Sequence, residues 1–321
     1  MYFYKNIEHK DRAILEPSKK IENYEGRQRF LKHFNIYDFQ EKIYPDKKLF
    51  FKNIHNKDVT LIPDLAAAIC SQLFKSGLFS VKAINNAMEY IRDIIQNLNY
   101  EFVADDILLA RLVKHSSGNV NNLIYVAGCQ SESMLKQRVR KAAQFAYSMT
   151  KIFDEKISIV FSGRNPTTDN NSNFSIPNES GLMDIYFQQY LEDEMKNDGK
   201  EFDSKLKFSK METIMENNSN TTRENIRRMF IGDSKDGIQR NFLSPDKSNN
   251  VILLSSSFHL IRLVKELELY RSKNEISFKI ENIVLVGSEK LIPEINIEDD
   301  GYIKLMFFEI FDHILTHNRP K

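Results

Sequence analysis

The sequence predicts an α/β fold, a parallel sheet with helices on both faces, preceded by an N-terminal helical region. Three observations predict it. Short continuous apolar runs at 123–127, 157–161, 251–254 and 283–286 have the character of strands buried on both faces. Helical patterns alternate with them at the spacing of strand–helix units. The turns where a strand would pass into a helix are crowded with Gly, Ser, Asn, Thr and Glu.

Residues 1–60 are polar, Lys-rich and dotted with aromatics, and carry no motif. From Leu61 the pattern turns helical. Leu65, Ile69, Leu73 and Phe74 share one face, Pro63 suits a first turn and Gly77 a stop. A second helix from about Ser80 carries the stripe Ile84, Met88, Ile91, Ile95 and Leu98, and a third covers 105–114. Such stripes serve either to pack an accessory region or to meet a protein partner. Composition shifts at 116–119, so the expected domains are a helical region at 1–115 and an α/β core at 116–321.

In the core, the strand at 123–127 runs into Gly128 and a helix over 132–149. The strand at 157–161 runs into Ser162, Gly163 and Arg164, and a polar loop leads to a helix from Glu179 through Leu191. Residues 192–210 read as a charged surface excursion. A strand at 211–215 then meets the loop 216–225, and helix continues through 226–231. The strand at 251–254 enters a helix through Ser255, Ser256 and Ser257. A last strand at 283–286 and a closing helix at 302–315 complete the pattern.

Lys+Arg 45 against Asp+Glu 44 leaves a net charge of +1. That balance gives no electrostatic reason to expect nucleic acid as a partner. Cys70 and Cys129 match no metal or redox spacing, and no paired Cys/His pattern supports a metal centre. The first residues lack the apolar core of a signal peptide, and no run approaches the length of a membrane span. A cytoplasmic protein is expected.

In open parallel sheets, ligands bind beyond the carboxyl ends of the strands. Gly128 and Gly163 each follow a strand, where a missing side chain lets backbone N–H groups approach an anionic ligand at a helix N-terminus. His259 and Arg262 are three apart at a helix start and share a face. The loop 216–225 offers Glu216, Ser219, Thr222, Glu224 and Asn225. Thr221 and Glu224 also fit a capping box, which assigns Glu224 a structural task.

Together these loops resemble the YdcF, SanA and ElyC family, a domain of unknown function. That family's pattern has a Gly-rich first turn followed by a helix bearing Arg, then a strand ending in Ser-Gly-Gly and a Ser-Glu-Ala helix start. E-x-x-S-x-x-T-x-E-N and T-S-x-x-H-x-x-R follow. Here stand Gly128 and Arg138; Ser162 and Gly163; Glu179; Glu216, Ser219, Thr222, Glu224 and Asn225; and Ser255, Ser256, His259 and Arg262. Cys129 and Arg164 stand where second glycines are usual, Ser255 replaces Thr, and Glu179 precedes Ser-Gly rather than Ala. The resemblance covers roughly 120–270. It implies a Rossmann-like three-layer fold and a polar pocket for a nucleotide-like, S-adenosylmethionine-like or phosphorylated ligand.

The expected function is therefore small-molecule binding, with hydrolase or transferase chemistry as its enzymatic version. In that version Glu216 or Glu224 is the general base and His259 protonates the leaving group. Gly128, Gly163 and Arg262 hold the anion, with Arg138, Ser162, Arg164, Glu179, Ser219, Thr222, Asn225, Ser255 and Ser256 as further ligand-binding residues. S-adenosylmethionine or a divalent cation such as Mg²⁺ would be the cofactor. The alternative is a metabolite sensor that signals to a protein partner through residues 1–115.

Overall fold

The computed structural model describes residues 62–75, 81–96, 120–129, 132–152, 156–164, 178–199, 209–235, 238–273 and 278–289, and residues 306, 309 and 310. The chain divides into two compact units, Gln96–Lys290 and a second made of Met1–Ile95 with Leu291–Lys321.

In the smaller unit, α1 (Ile62–Lys75) and α2 (Val81–Gln96) are helices. Leu65, Ile69, Ile84, Ile91 and Ile95 of the expected stripes are buried. The helix expected at 105–114 lies outside the described residues. Of 302–315, Met306, Glu309 and Ile310 are described, and all are helical.

The larger unit is a five-stranded all-parallel sheet with helices on both faces. Its strands are β1 (Val120–Ala127), β2 (Ile157–Ser162), β3 (Met211–Glu216), β6 (Ser248–Ser255) and β7 (Ile280–Gly287), in the order β3-β2-β1-β6-β7. Two short antiparallel strands, β4 (Asp233–Lys235) and β5 (Ile238–Arg240), form a separate hairpin. The helices are α3 (Glu132–Ile152), α4 (Glu179–Asn197), α5 (Thr222–Ile231) and α6 (Ser257–Lys273). Residues 192–197 thus belong to α4. This first part of the charged surface excursion expected at 192–210 continues the helix, because Leu191 and Met195 keep a buried face beneath its charges.

Right-handed crossovers put the two helices of β1–α3–β2–α4–β3 on one face and α6, between β6 and β7, on the other. In agreement, α3 packs on α4, and α5 packs on α6. Between α3, α4 and the sheet lies a core of Ile124, Val126, Ile159 and Phe161 with Val139, Phe145, Met183 and Phe187. Phe161 and Phe187 meet at 5.4 Å, tilted by 60°. Leu123, Tyr125, Val160, Val251 and Leu253 alternate with those positions and are equally buried, so both faces are covered.

The chain leaves β1 toward β2 on one side and leaves β6 toward β7 on the other. The neighbouring strands β1 and β6 therefore form the switch point of the sheet, and a crevice opens there at the carboxyl ends.

Candidate functional site

A cleft with about 380 Å³ of empty space lies at that edge. It is lined by Gly128 and Cys129 after β1, Gly163 after β2, Glu179 at the start of α4, Ser219–Thr222 and Asn225 after β3, and His259 in the first turn of α6. Seven residues expected at the ligand line it: Gly128, Gly163, Glu179, Ser219, Thr222, Asn225 and His259.

The two glycine turns do something other than expected. Gly128 N–H donates to the Ser162 carbonyl at 2.7 Å, and Gly163 N–H donates to the Glu216 carbonyl at 3.1 Å. These donors are spent inside the protein. The missing side chains instead make room for Glu179: a β-carbon at either glycine would collide with Glu179 Oε2. Asn178 caps α4, its side-chain oxygen accepting Gly181 N–H at 2.8 Å. Ser180 N–H donates to Gly163 O at 3.2 Å, which pins the helix start against the β2 turn.

Glu179 is consequently 3% exposed, and its Oε1 has no hydrogen-bond partner in the protein. Burial pushes its carboxyl up to about 7, against the opposing pull of the Arg138 guanidinium. A buried carboxyl near neutrality, with one oxygen unpartnered in a cleft, is the pattern of a proton-transfer group. Glu179, expected as a ligand-binding residue, lines the cleft, whereas Glu216 and Glu224, expected as the general base, do not.

Glu216 is fully buried and lies outside the cleft lining. Its Oε2 accepts the Ser162 hydroxyl at 2.6 Å, and its Oε1 accepts Asn218 N–H at 2.7 Å and Ser219 N–H at 3.0 Å. All its acceptor capacity goes into shaping the loop. Glu224 is likewise a cap: Thr221 Oγ1 accepts Glu224 N–H at 3.2 Å, and Glu224 Oε2 accepts Asn220 N–H at 2.6 Å. This is the capping box read in the sequence, with the carboxylate reaching one residue further back.

Asn225 is fixed twice, its Oδ1 accepting the Ser162 hydroxyl at 3.1 Å and its carbonyl accepting the Tyr125 hydroxyl at 2.8 Å. Tyr125, on the α5 face of β1, is a site residue that the sequence pattern registers only as core.

His259 bridges two hydroxyls, with Ser255 Oγ 2.9 Å from Nδ1 and Thr222 Oγ1 3.0 Å from Nε2. Packing of α5 on α6 holds this arrangement, with Phe230 stacked on Tyr270 at 4.7 Å and Arg223 paired to Glu266 at 3.0 Å. Burial, then the charges of Arg138 and Arg262, hold the imidazole well below its ordinary value. It is neutral at physiological pH, which removes it as the expected proton donor.

Arg138 is wholly buried beneath the cleft. It donates to the carbonyls of Ala127 at 2.6 Å and Gly128 at 2.8 Å, and through Nε to Ser256 Oγ at 3.0 Å. It clamps the β1 turn to the start of α6, and its Nη2 has no partner in the protein. Ser255 and Ser256 are buried in this same support. Arg164 and Arg262, expected at the ligand, are exposed and outside the cleft lining, and the charge of Arg262 acts on His259.

Glu289, just after β7, was missed. Its Oε1 accepts Ser257 N–H at 2.9 Å and its carbonyl accepts the Ser257 hydroxyl at 3.0 Å, so it caps the start of α6. Burial pushes its carboxyl up to about 7. A carboxylate directly after the fifth strand was the available signal.

Among the described residues there is no cluster of three or more His, Cys, Asp or Glu placed to hold a metal ion. No described helix is long and apolar enough to cross a membrane. The chain matches no family model, no curated protein and no solved structure.

Proposed function

We propose that the cleft binds a nucleotide-like or phosphorylated small molecule and that the protein acts on it by acid–base chemistry, as a hydrolase or transferase of the YdcF-like kind. The observation that carries this reading is the Glu179 carboxyl, near pH 7 in its proton affinity, with an unpartnered oxygen in a cleft at the switch point. In the hydrolytic version the leaving oxygen takes the Glu179 proton. The attacking water passes a proton through the Thr222 hydroxyl to Nε2 of neutral His259. Ser255 orients the ring, and Glu216 holds Ser219 in place.

A thermal-shift screen against S-adenosylmethionine, nucleotides, nucleotide sugars and sugar phosphates tests it. A ligand at a hundred times its dissociation constant adds about 2.7 kcal/mol, and each kcal/mol moves the midpoint by roughly 2–4 °C for a chain of this size. The shift should shrink in Ser219→Ala. On the substrate class so found, Glu179→Gln should lose about a hundredfold or more in rate. A panel with no shift, or turnover unchanged in Glu179→Gln, rejects the enzyme.

A further inference from the structure

The ends of three helices meet at the cleft. Glu179 opens α4, Thr222 opens α5, and His259 is in the first turn of α6. Helix starts carry partial positive charge, and the N–H groups of Glu179 and Thr222, at the first helical position, have no intrahelical acceptor. Two buried side chains of the lining point to a ligand independently of the helices. Glu179 Oε1 and Ser219 Oγ, on residues 3% and 2% exposed, have no partner in the protein. Arg138 adds a full charge beneath the floor, and after burial the charges of Arg138 and Arg262 add to the depressed proton affinity of His259.

We infer that the cleft captures a tetrahedral oxyanion, such as the phosphoryl group of its ligand, together with a proton, the protonated Glu179 carboxyl donating a hydrogen bond to the bound oxygen. This deepens the reading proposed above and rests on it. An ionised Glu179 would repel the anion, whereas a neutral one supplies a donor where lysine and arginine are missing from the described lining. The charged or titratable groups around the site are Arg138 of α3, Cys129 of the β1 turn, Glu216 at the end of β3, His259 and Arg262 of α6, and Glu289 after β7. Arg138 acts on Glu179 in the opposite sense to burial. Glu216 is committed to its three donors and Glu289 to α6. His259 is the other group in the lining able to take up a proton, and the test must separate the two.

Sulfate is the probe, because its charge is constant across the pH range used. Calorimetric titration of the full chain should show binding that weakens up to about tenfold per pH unit above about 7, with uptake of up to one proton per sulfate. Proton uptake is read from two buffers of different ionisation heat. Glu179→Gln keeps a donor but cannot titrate, so sulfate should still bind and the pH slope should vanish. In His259→Asn the slope should persist. Sulfate binding that is absent, independent of pH, or stronger at high pH overturns the inference, as does a slope that survives Glu179→Gln and disappears in His259→Asn. Should Glu179→Gln fail to fold, His259→Asn decides: proton uptake and pH slope that persist there support the inference, and their loss overturns it. An organic ligand that shifts the melting midpoint without proton uptake leaves the proposed function standing and removes this inference alone.

Discussion

Ser162 donates its hydroxyl to Glu216 at 2.6 Å, and that bond joins the ends of neighbouring strands directly beneath the loop that forms one wall of the cleft. Glu216→Ala orphans the N–H groups of Asn218 and Ser219 and leaves the Ser162 hydroxyl with Asn225 Oδ1 as its acceptor. Each buried orphan costs about 1–3 kcal/mol, so chemical denaturation should show a loss of about 2–4 kcal/mol. Ligand affinity should fall with it, although Glu216 touches no ligand. Glu216→Gln, which keeps an acceptor for the two N–H groups, should lose less of both.

The glycine turns oppose the same added methyl group for different reasons. At Gly163 every close contact would be with Glu179, whereas at Gly128 a β-carbon would also lie 2.8 Å from the Ser162 carbonyl oxygen. Overpacking of this kind costs about 1–3 kcal/mol. Combining each alanine with Glu179→Ala should restore only part of the lost stability, because the Ser162 carbonyl still opposes Gly128→Ala, and the φ of 159° with Glu179 Cβ 3.2 Å away still opposes Gly163→Ala, as thermal melts of the single and double variants would register.

Stability should decline from mildly acidic solution toward neutrality, shaped by opposing groups. Burial raises Glu179 and Glu289 to about 7. Between the ordinary carboxyl range and 7, the folded chain keeps protons that the unfolded chain releases, so their contribution is complete at the acid end and is lost as pH rises through 7. Buried His259 is held low, so the unfolded chain binds a proton that the folded chain refuses, and stability falls as pH drops below about 6.5. Each group is worth at most about 1.4 kcal/mol per pH unit within its window. Denaturation midpoints between about pH 5 and about pH 8.5 should decline toward about pH 7, less steeply with Glu289→Gln, and more steeply below about pH 6.5 with His259→Asn, which removes the opposing group.

The two thiols should differ in reactivity. Cys129 is half-buried in the cleft lining, while Cys70 is fully buried and pushed up to about 12 by that burial. A disulfide reagent should modify Cys129 in the native chain and leave Cys70 until denaturation, and a cleft ligand should slow the first reaction. Equal rates measured by peptide mass would contradict this placement of Cys129.

The strands were legible because buried parallel strands are unbroken apolar runs. The structure extends β1, β6 and β7 at their starts through polar residues that the apolar pattern excludes. Asn122, Asn250 and Asn282 pair in register, with Asn250 Nδ2 donating to Asn122 at 3.0 Å and Asn282 Nδ2 donating to Asn250 at 2.8 Å. A ladder of amides bonds across strands, with Asn122 Nδ2 left without a partner among the described residues, and no single strand announces it. The β4–β5 hairpin was missed for a related reason: three residues per strand leave no period to read. Within the site, residue types and spacing pointed to Ser219, Thr222 and His259, and the resemblance to Glu179; all four line the cleft. Those signals did not separate Glu216 from Glu179, because whether a carboxylate faces a cleft or a loop's own N–H groups depends on distances across the fold.

Among the described residues, strand β3 is one of the two outer strands of the sheet, paired on one side, to β2. Its last residue, Glu216, grips the backbone of Ser219, which lines the cleft. Occupancy of the cleft would therefore be mechanically tied to a strand supported from one side. Amide exchange along 211–216 becomes a gauge of ligand saturation that needs no label and no knowledge of the reaction. Slower exchange there, with β1 unchanged in the middle of the sheet, would register a ligand before its chemistry is known.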